Sequence, residues 1–305
     1  MDRLTSMHVF AKIVASGSFA AAARQAQLSP TVVSKHVQAL ESWLGARLLN
    51  RSTRRVALTE AGEAFYERCT RILSEVEDAT GAASALQTTL RGRLRVSAPG
   101  LFGVEQVTPA AVSFMAKHPD VSVRLDLNDR YVDVLGEGYD LAVIVSHLPD
   151  SSLIARRLAP IRFVTCAAPS YLERRGTPQH PSELRFHDCL QYNGFLWPRN
   201  EWRFVAANGD PVTTQLSPRF ASATLALRIA VLQGAGVLLC PTYAVGADLA
   251  AGRLVPILTE FSIPELTAYA VHAQGRHRSA KLGSFIDLLV ARFGPNPPWD
   301  RWRDA

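Results

Sequence analysis

Between residues 30 and 44 the chain sets polar side chains that can do recognition chemistry on a regular background of apolar ones. Val33, Val37, Leu40 and Leu44 follow one another at intervals of 4, 3 and 4 residues, so a helix of about 3.6 residues per turn gathers them on one side. The opposite side then carries Thr31, Lys35, Gln38 and Ser42, with Ser34 on its flank. Short hydroxyls, an amide and an ammonium are the groups that hydrogen-bond base edges and phosphate oxygens in the major groove of DNA. An ordinary solvated helix face carries similar residues, so the neighbourhood has to separate the two readings.

The neighbourhood favours recognition. Leu4, Met7, Phe10, Ala11 and Val14 give a preceding helix one apolar face, and Ser18 caps a second helix, Phe19–Ala26, built from small residues. Small side chains let two helices cross closely, as a helix-turn-helix requires. Leu28 closes the turn, and Ser29-Pro30 supplies a cap followed by proline at the first helical position, which places Pro30 at the leading end of the polar face. Downstream, Val56 and Leu58 alternate as a short strand, and Arg51, Thr53, Arg54 and Arg55 crowd the turn before it. Such a basic hairpin is a wing, with Arg51, Thr53 and Arg54 set to reach the phosphate backbone beside the groove.

Charge is concentrated in the same place. Residues 1–58 hold eight Lys and Arg against Asp2 and Glu41, whereas the remaining residues hold 25 basic and 25 acidic side chains, so the net +6 of the chain sits on this module. A basic module on a neutral remainder is the electrostatic footprint of a polyanion binder.

The ordered elements Ser18-Phe19-x-x-Ala22-Ala23, Leu28-Ser29-x-x-Val32-Val33-Ser34, Leu40-Glu41, Leu48-x-x-Arg51-x-x-Arg54 and Leu58-Thr59-x-x-Gly62 resemble the N-terminal signature of the LysR family of transcriptional regulators. The resemblance runs through nearly the whole chain. It implies an α/β protein with an N-terminal winged helix-turn-helix, a long linker helix and a two-lobed, periplasmic-binding-protein-like effector domain. It also implies double-stranded operator or promoter DNA, a small-molecule effector and RNA polymerase as partners, and a homodimer or homotetramer as the assembly.

The residues support that organisation at 1–58, 59–90 and 91–305. From Thr59 onward Phe65, Cys69, Ile72, Val76, Ala79, Ala83, Leu86 and Leu90 recur at alternating intervals of 4 and 3, a heptad seam on a helix roughly 45 Å long. Phe65, Ile72, Val76, Ala79, Ala83 and Leu86 are the expected dimerisation contacts, and packing against the chain's own sensing domain is the alternative. Beyond Gly92, alternation at Leu94 and Val96, a helix to about Lys117, the strand Val121–Leu127, a short helix around 132–135 and the apolar run 139–145 predict a largely parallel sheet. Lobe I is expected at 91–161 and 267–305 and lobe II at 162–266, with two chain crossings making a hinge and a cleft. Ligands in such folds sit at strand ends and helix starts. Ser97, Pro99, Leu101, Phe102, Asn128 and Ile144 are the candidates from one lobe, and Ser222 and Thr224 from the other. Ser222 as a plain helix cap, and Leu101 or Phe102 as core, are the competing readings. The segment Asp150–Leu158 resembles one large branch of the LysR family, in which the preceding strand commonly carries Arg where this chain has Ile144.

Other functions fit less well. At 48% hydrophobic and 20% charged residues the composition is that of a soluble globular protein. The start Met1-Asp2-Arg3-Leu4 has no apolar leader and no apolar run reaches membrane length, so a cytoplasmic protein with no membrane partner is expected. Cys69, Cys166, Cys189 and Cys240 lack metal or redox spacing and read as buried thiols; no metal and no cofactor is expected. A cytoplasmic small-molecule-binding protein or an enzyme with an accessory DNA-binding module is the rival class. Gly234-x-Gly236 lacks a third glycine and follows a helix, and His187-Asp188-Cys189 are neighbours on an extended segment that point apart. No catalytic residue is assigned.

Overall fold

The computed structural model describes residues 2–50, 56–83, 90–130, 132–134, 136–146, 153–193, 200–273 and 279–303. The wing residues Arg51, Thr53 and Arg54 and the seam residue Leu86 lie outside the described residues, as do the side chains of Ala79 and Ala83. The chain divides into two compact units, Met1–Thr88 and Thr89–Ala305.

In the first unit α1 (Arg3–Ser16), α2 (Phe19–Ala26) and α3 (Pro30–Leu44) start at caps the sequence dictates. Asp2 accepts the N–H of Thr5, Ser18 that of Ala21 and Ser29 that of Val32. Their core joins Met7, Phe10 and Ile13 of α1, Ala22 and Ala23 of α2 and Val33, Val37 and Leu40 of α3. After α3 the chain returns through an antiparallel bridge between Leu49 and Leu58, with the Asn50 N–H donating to Ala57 O at 2.9 Å. Glu41 on α3 accepts the backbone N–H groups of Leu48 and Leu49 at 2.8 and 3.2 Å, tying the base of this hairpin to the third helix.

Helix α4 (Glu60–Ala83) begins at Thr59, whose hydroxyl accepts the Gly62 N–H at 3.0 Å. Gly62 is required by close approach: a Cβ there would overlap the Leu48 carbonyl. The seam expectation needs correction at its start. Phe65 packs 5.7 Å from the Phe10 ring, and Cys69 is fully buried with its thiol directed at Met7 O, so the first two heptad positions belong to the unit's own core. Leu73, outside the heptad pattern, is buried with them. Ile72 is 45% exposed.

The second unit holds two five-stranded sheets. The first uses β1 (Gly92–Ala98), β2 (Val121–Leu127), β3 (Leu141–Ser146) and β4 (Ile154–Ile161), and the second starts at β5 (Phe163–Ala167). Between β1 and β2 the turns α5 (Gly100–Phe102), a π-helical stretch Gly103–Val107 and α6 (Thr108–Lys117) follow one another without a break. After β5 come α7 (Pro169–Arg175), β6 (Cys189–Tyr192), the hairpin β7 (Glu201–Val205) and β8 (Pro211–Gln215), β9 (Phe220–Ser222), α8 (Thr224–Leu232), β10 (Val237–Pro241), α9 (Thr242–Ala250) and β11 (Val255–Ile257). The chain returns to the first sheet as β12 (Leu266–His272) and ends in α10 (Ala280–Phe293) and a 3-10 turn, Pro298–Arg303.

Three expectations change here. The first sheet, ordered β2-β1-β3-β12-β4, is parallel only across β2, β1 and β3; the returning β12 runs antiparallel to both neighbours. The second, ordered β11-β5-β10-β6-β9, is likewise mixed. Residues 132–134 begin no helix. The Asp133 carboxylate caps Gly136 N–H and Glu137 binds Arg130, so local side chains capture the turn. The last turn, expected with lobe I, reaches the second lobe: Trp299 lies against Gly246 on α9, and Trp302 joins the core that contains Val245 and Leu249.

Candidate functional site

On α3 the buried stripe is completed by His36, whose Nδ1 lies 2.9 Å from the Ser6 hydroxyl of α1. This contact and the apolar stripe fix the roll of the helix. Pro30, Thr31, Lys35 and Gln38 are consequently exposed and Ser34 is half-buried beside them. The five residues expected to read DNA thus share one outward side of a helix anchored on its other side.

The second site is a cavity of about 700 Å³ between the two sheets of the second unit. From the first sheet it is lined by Ser97 and Pro99 at the end of β1, Asn128 and Asp129 just after β2, Ala142–Ser146 of β3 and Val271 of β12. From the second sheet come Gln191 and Tyr192 of β6 and Leu239–Pro241 of β10, and from the elements beside it Trp202 of β7, Thr224 and Leu227 of α8, and Tyr243 of α9. Six of the eight effector candidates, Ser97, Pro99, Leu101, Asn128, Ile144 and Thr224, therefore converge on one cavity. The other two do not line it. Adjacent residues on a helical turn point about 100° apart, so Leu101 faces the cavity while Phe102 turns into the core, with its ring 5.0 Å from Tyr243, 5.6 Å from Trp299 and 5.7 Å from Phe293. Ser222 ends β9, and the cap position of α8 falls to Ala223, which has no capping side chain.

Much of the polar lining is already satisfied. Asn128 donates to the Ser97 hydroxyl at 3.2 Å, and Ser97 is only 2% exposed. Gln191 accepts from Trp202 Nε1 at 3.2 Å and donates to Tyr192 O at 3.0 Å. Burial raises the phenol of Tyr243 above its ordinary range, and Tyr192 likewise, so both stay protonated. The Cys240 thiol is raised by its hydrogen bond with Cys166 and by burial, which makes it a weak neutral group and not a thiolate. With Val132, Val134, Ile144, Val145, Leu153 and Val271 around them, these groups make a mostly apolar chamber with a few neutral hydrogen-bonding points, and Asp129 and Arg130 are the charged residues of its lining.

Sequence reading missed Asp129, Gln191, Tyr192, Trp202 and Tyr243. Only Asp129 had a local signal, as the residue after the Asn128 strand end. The His187-Asp188-Cys189 trio goes to separate partners: His187 Nδ1 to the Tyr171 hydroxyl at 3.2 Å, Asp188 to Arg219 at 3.1 Å and the Cys189 thiol toward Leu184 O. Among the described residues no group of His, Cys, Asp and Glu is arranged to hold a metal ion, and no helix is long and apolar enough to cross a membrane.

A helix-turn-helix with an outward polar recognition helix, followed by a two-sheet domain with a cavity between the sheets, defines a DNA-binding transcriptional regulator with an effector-binding domain. Two family profiles match the chain: bacterial regulatory helix-turn-helix protein, lysR family, over residues 4–63, and LysR substrate binding domain over residues 87–294. The chain is 39% identical over 292 residues to an HTH-type transcriptional regulator of Xanthomonas campestris pv. campestris, covering 93% of this chain and 83% of that one. It is 35% identical to the HTH-type transcriptional regulator CrgA of Neisseria meningitidis serogroup C, over 94% of this chain and 96% of the relative. The solved structure of CrgA superimposes with a TM-score of 0.63 at 34% identity, covering 95% of this chain and 98% of that one. Full-length AphB, a Vibrio cholerae virulence activator, superimposes with a TM-score of 0.61 at 30% identity over 95% and 99%. The chain belongs to the LysR family of transcriptional regulators.

Proposed function

We propose that the exposed side of α3, through Pro30, Thr31, Ser34, Lys35 and Gln38, reads base edges in the major groove while Arg51, Thr53 and Arg54 grip the flanking phosphates. A small effector held between the two sheets, by Ser97, Pro99, Leu101, Asn128, Ile144 and Thr224, controls that binding. The observation that carries this reading is the cavity itself: strand ends of one sheet and the start of α8 meet across it, in the same chain as a basic helix-turn-helix. The protein works in the cytoplasm as a homodimer or homotetramer, contacts RNA polymerase and has no catalytic role. The exposed Ile72 on α4 supports pairing of two copies along that helix, which would set two recognition helices on a two-fold symmetric site.

Gel retardation with the DNA upstream of its own gene, across a salt series, is the test. Binding that prefers this DNA to random duplex, and that weakens steeply with salt, is expected. Equal affinity for both duplexes at every salt concentration would refute sequence-specific regulation.

A further inference from the structure

The cavity is lined by two formally charged side chains, Asp129 and Arg130, and their situations differ. Arg130 is engaged: its Nη1 and Nη2 donate to the two carboxylate oxygens of Glu137 at 2.8 and 2.6 Å. That pairing cancels its charge locally and holds the Glu137 carboxyl below its usual range. Asp129 has no such partner; no salt bridge to it occurs among the described residues. Its Oδ1 instead accepts the Gly100 N–H at 2.8 Å, at the head of the unbroken helical run from Gly100 to Lys117.

The start of a helix exposes N–H groups and partial positive charge, which makes it a natural receiver for an anion. Here that position is filled by the protein's own carboxylate, at the rim of the cavity and beside Ser97, Pro99 and Leu101. The charge of Asp129 reaches the phenols that line the cavity: Tyr192 is raised by burial and then by Asp129, and Tyr243 by burial, then by Tyr192 and then by Asp129. The β3 stretch of the same sheet offers Ala142, Val143, Ile144 and Val145 to the lining and adds no cation.

We propose that Asp129 makes the cavity refuse anions, so that its ligand is an uncharged or cationic molecule with an apolar, ring-sized body and a hydrogen-bond donor. This rests on the reading of the cavity as the effector site. A unit charge about 6 Å from the carboxylate, at an effective dielectric of about 40, changes affinity roughly tenfold.

Benzoate, benzamide and benzamidine share one ring and carry negative, zero and positive charge, so they isolate the effect. Their affinities for the full-length protein would be measured by calorimetry, for wild type, Asp129→Asn and Thr224→Trp. Asparagine keeps an oxygen for the Gly100 N–H, and an indole in place of the Thr224 side chain would intrude into the cavity from the start of α8. Wild type is expected to bind benzoate at least about tenfold more weakly than benzamide or benzamidine. Asp129→Asn should raise benzoate affinity and lower that of benzamidine, each by about tenfold, and Thr224→Trp should weaken binding of all three. Benzoate bound as tightly as benzamide by wild type overturns the proposal, as does an order unchanged in Asp129→Asn; both leave the cavity as the binding site. Affinities for all three probes left unchanged by Thr224→Trp, or no saturable binding of any probe, fail the effector-site reading and the proposal with it. Should Asp129→Asn melt early, the salt dependence of wild type decides. Screening must strengthen benzoate and weaken benzamidine, and parallel slopes overturn the proposal.

Discussion

Asp248 of α9 is the ionic anchor of the second lobe, and its removal makes a quantitative test of how that lobe is held. Its side chain is 1% exposed and accepts from Arg228 Nε of α8 at 2.7 Å and from Arg253 Nε and Nη2 at 2.9 and 2.6 Å. Removing one partner of a buried ion pair costs about 3–5 kcal/mol, because the other charge is stranded. Two facts pull the value for Asp248→Ala to the lower end: Arg253 is 55% exposed and regains water, and Arg228 keeps Glu105 at 3.8 Å. A loss of about 3 kcal/mol is expected, or about 6–12 °C in Tm for a unit of some 200 residues. The assay is a thermal melt of the full chain followed by tryptophan fluorescence. The pH dependence has a definite sign. Burial alone raises the Asp248 carboxyl, but hydrogen bonds and charge from Arg228 and Arg253 outweigh it and hold the pKa below the ordinary 3.8. A carboxyl with a lower pKa folded than unfolded contributes stability that is present above the unfolded value and is lost as pH falls through the folded one. The gap between wild type and Asp248→Ala should therefore be full at neutral pH and close in acid. A Tm loss under about 2 °C, or a gap that stays constant into acid, would refute the reasoning.

Three further outcomes are expected. Lys35→Ala and Ser34→Ala should each weaken binding to the specific duplex by about 1–3 kcal/mol with little change on random DNA; unchanged specific affinity in gel retardation would remove that side of α3 from recognition. Ile72→Asp places a carboxylate on an exposed seam position, so the chain should fold but dissociate in light scattering, and an intact oligomer would put the main interface elsewhere. Ile144→Arg sets a guanidinium against the cavity and should raise benzoate affinity about tenfold by calorimetry; no change would mean that residue 144 does not face the ligand.

What the residues reveal in advance follows from the range over which each signal acts. The stripe Val33, Val37, Leu40 and the caps Ser18 and Ser29 are local, so α2, α3 and the outward recognition side are legible from spacing alone. Phe65 and Cys69 show the limit of the same signal. A heptad period announces a buried stripe without naming what buries it, and here α1 takes the first two positions. Strand direction leaves no mark on periodicity either, which is why the antiparallel return of β12 was hidden. The far wall of the cavity was illegible for a stronger reason. Gln191, Trp202 and Tyr243 lie on β6, on the separate hairpin strand β7 and on α9, and meet only through the tertiary fold. Leu101 and Phe102 differ by one residue, and only the roll of a short helix decides which is lining and which is core.

The two sheets communicate through few covalent links, and the charged groups at those links bear on how a ligand acts. Arg162 separates β4 from β5, and Glu265 immediately precedes β12, so the two residues mark the outgoing and returning crossings. They are joined: Arg162 Nε donates to Glu265 at 2.9 Å, while Arg162 Nη1 donates to Asp300 of the C-terminal turn at 2.6 Å. The Arg162 carbonyl in turn accepts the Thr242 N–H at 2.8 Å, at the start of α9. Rotation of one sheet against the other has to pivot at these crossings, because hinges are the few residues that absorb a change of backbone angle between rigid bodies. An ion cluster that spans both crossings resists their separation but leaves rotation about them open. A ligand proposed to sit between the sheets would act by its differential affinity for two rotational settings. In the proposed effector reading, the lining residues Ser97, Asn128 and Ile144 belong to one body and Thr224 and Tyr243 to the other, so a ligand held between them would touch both.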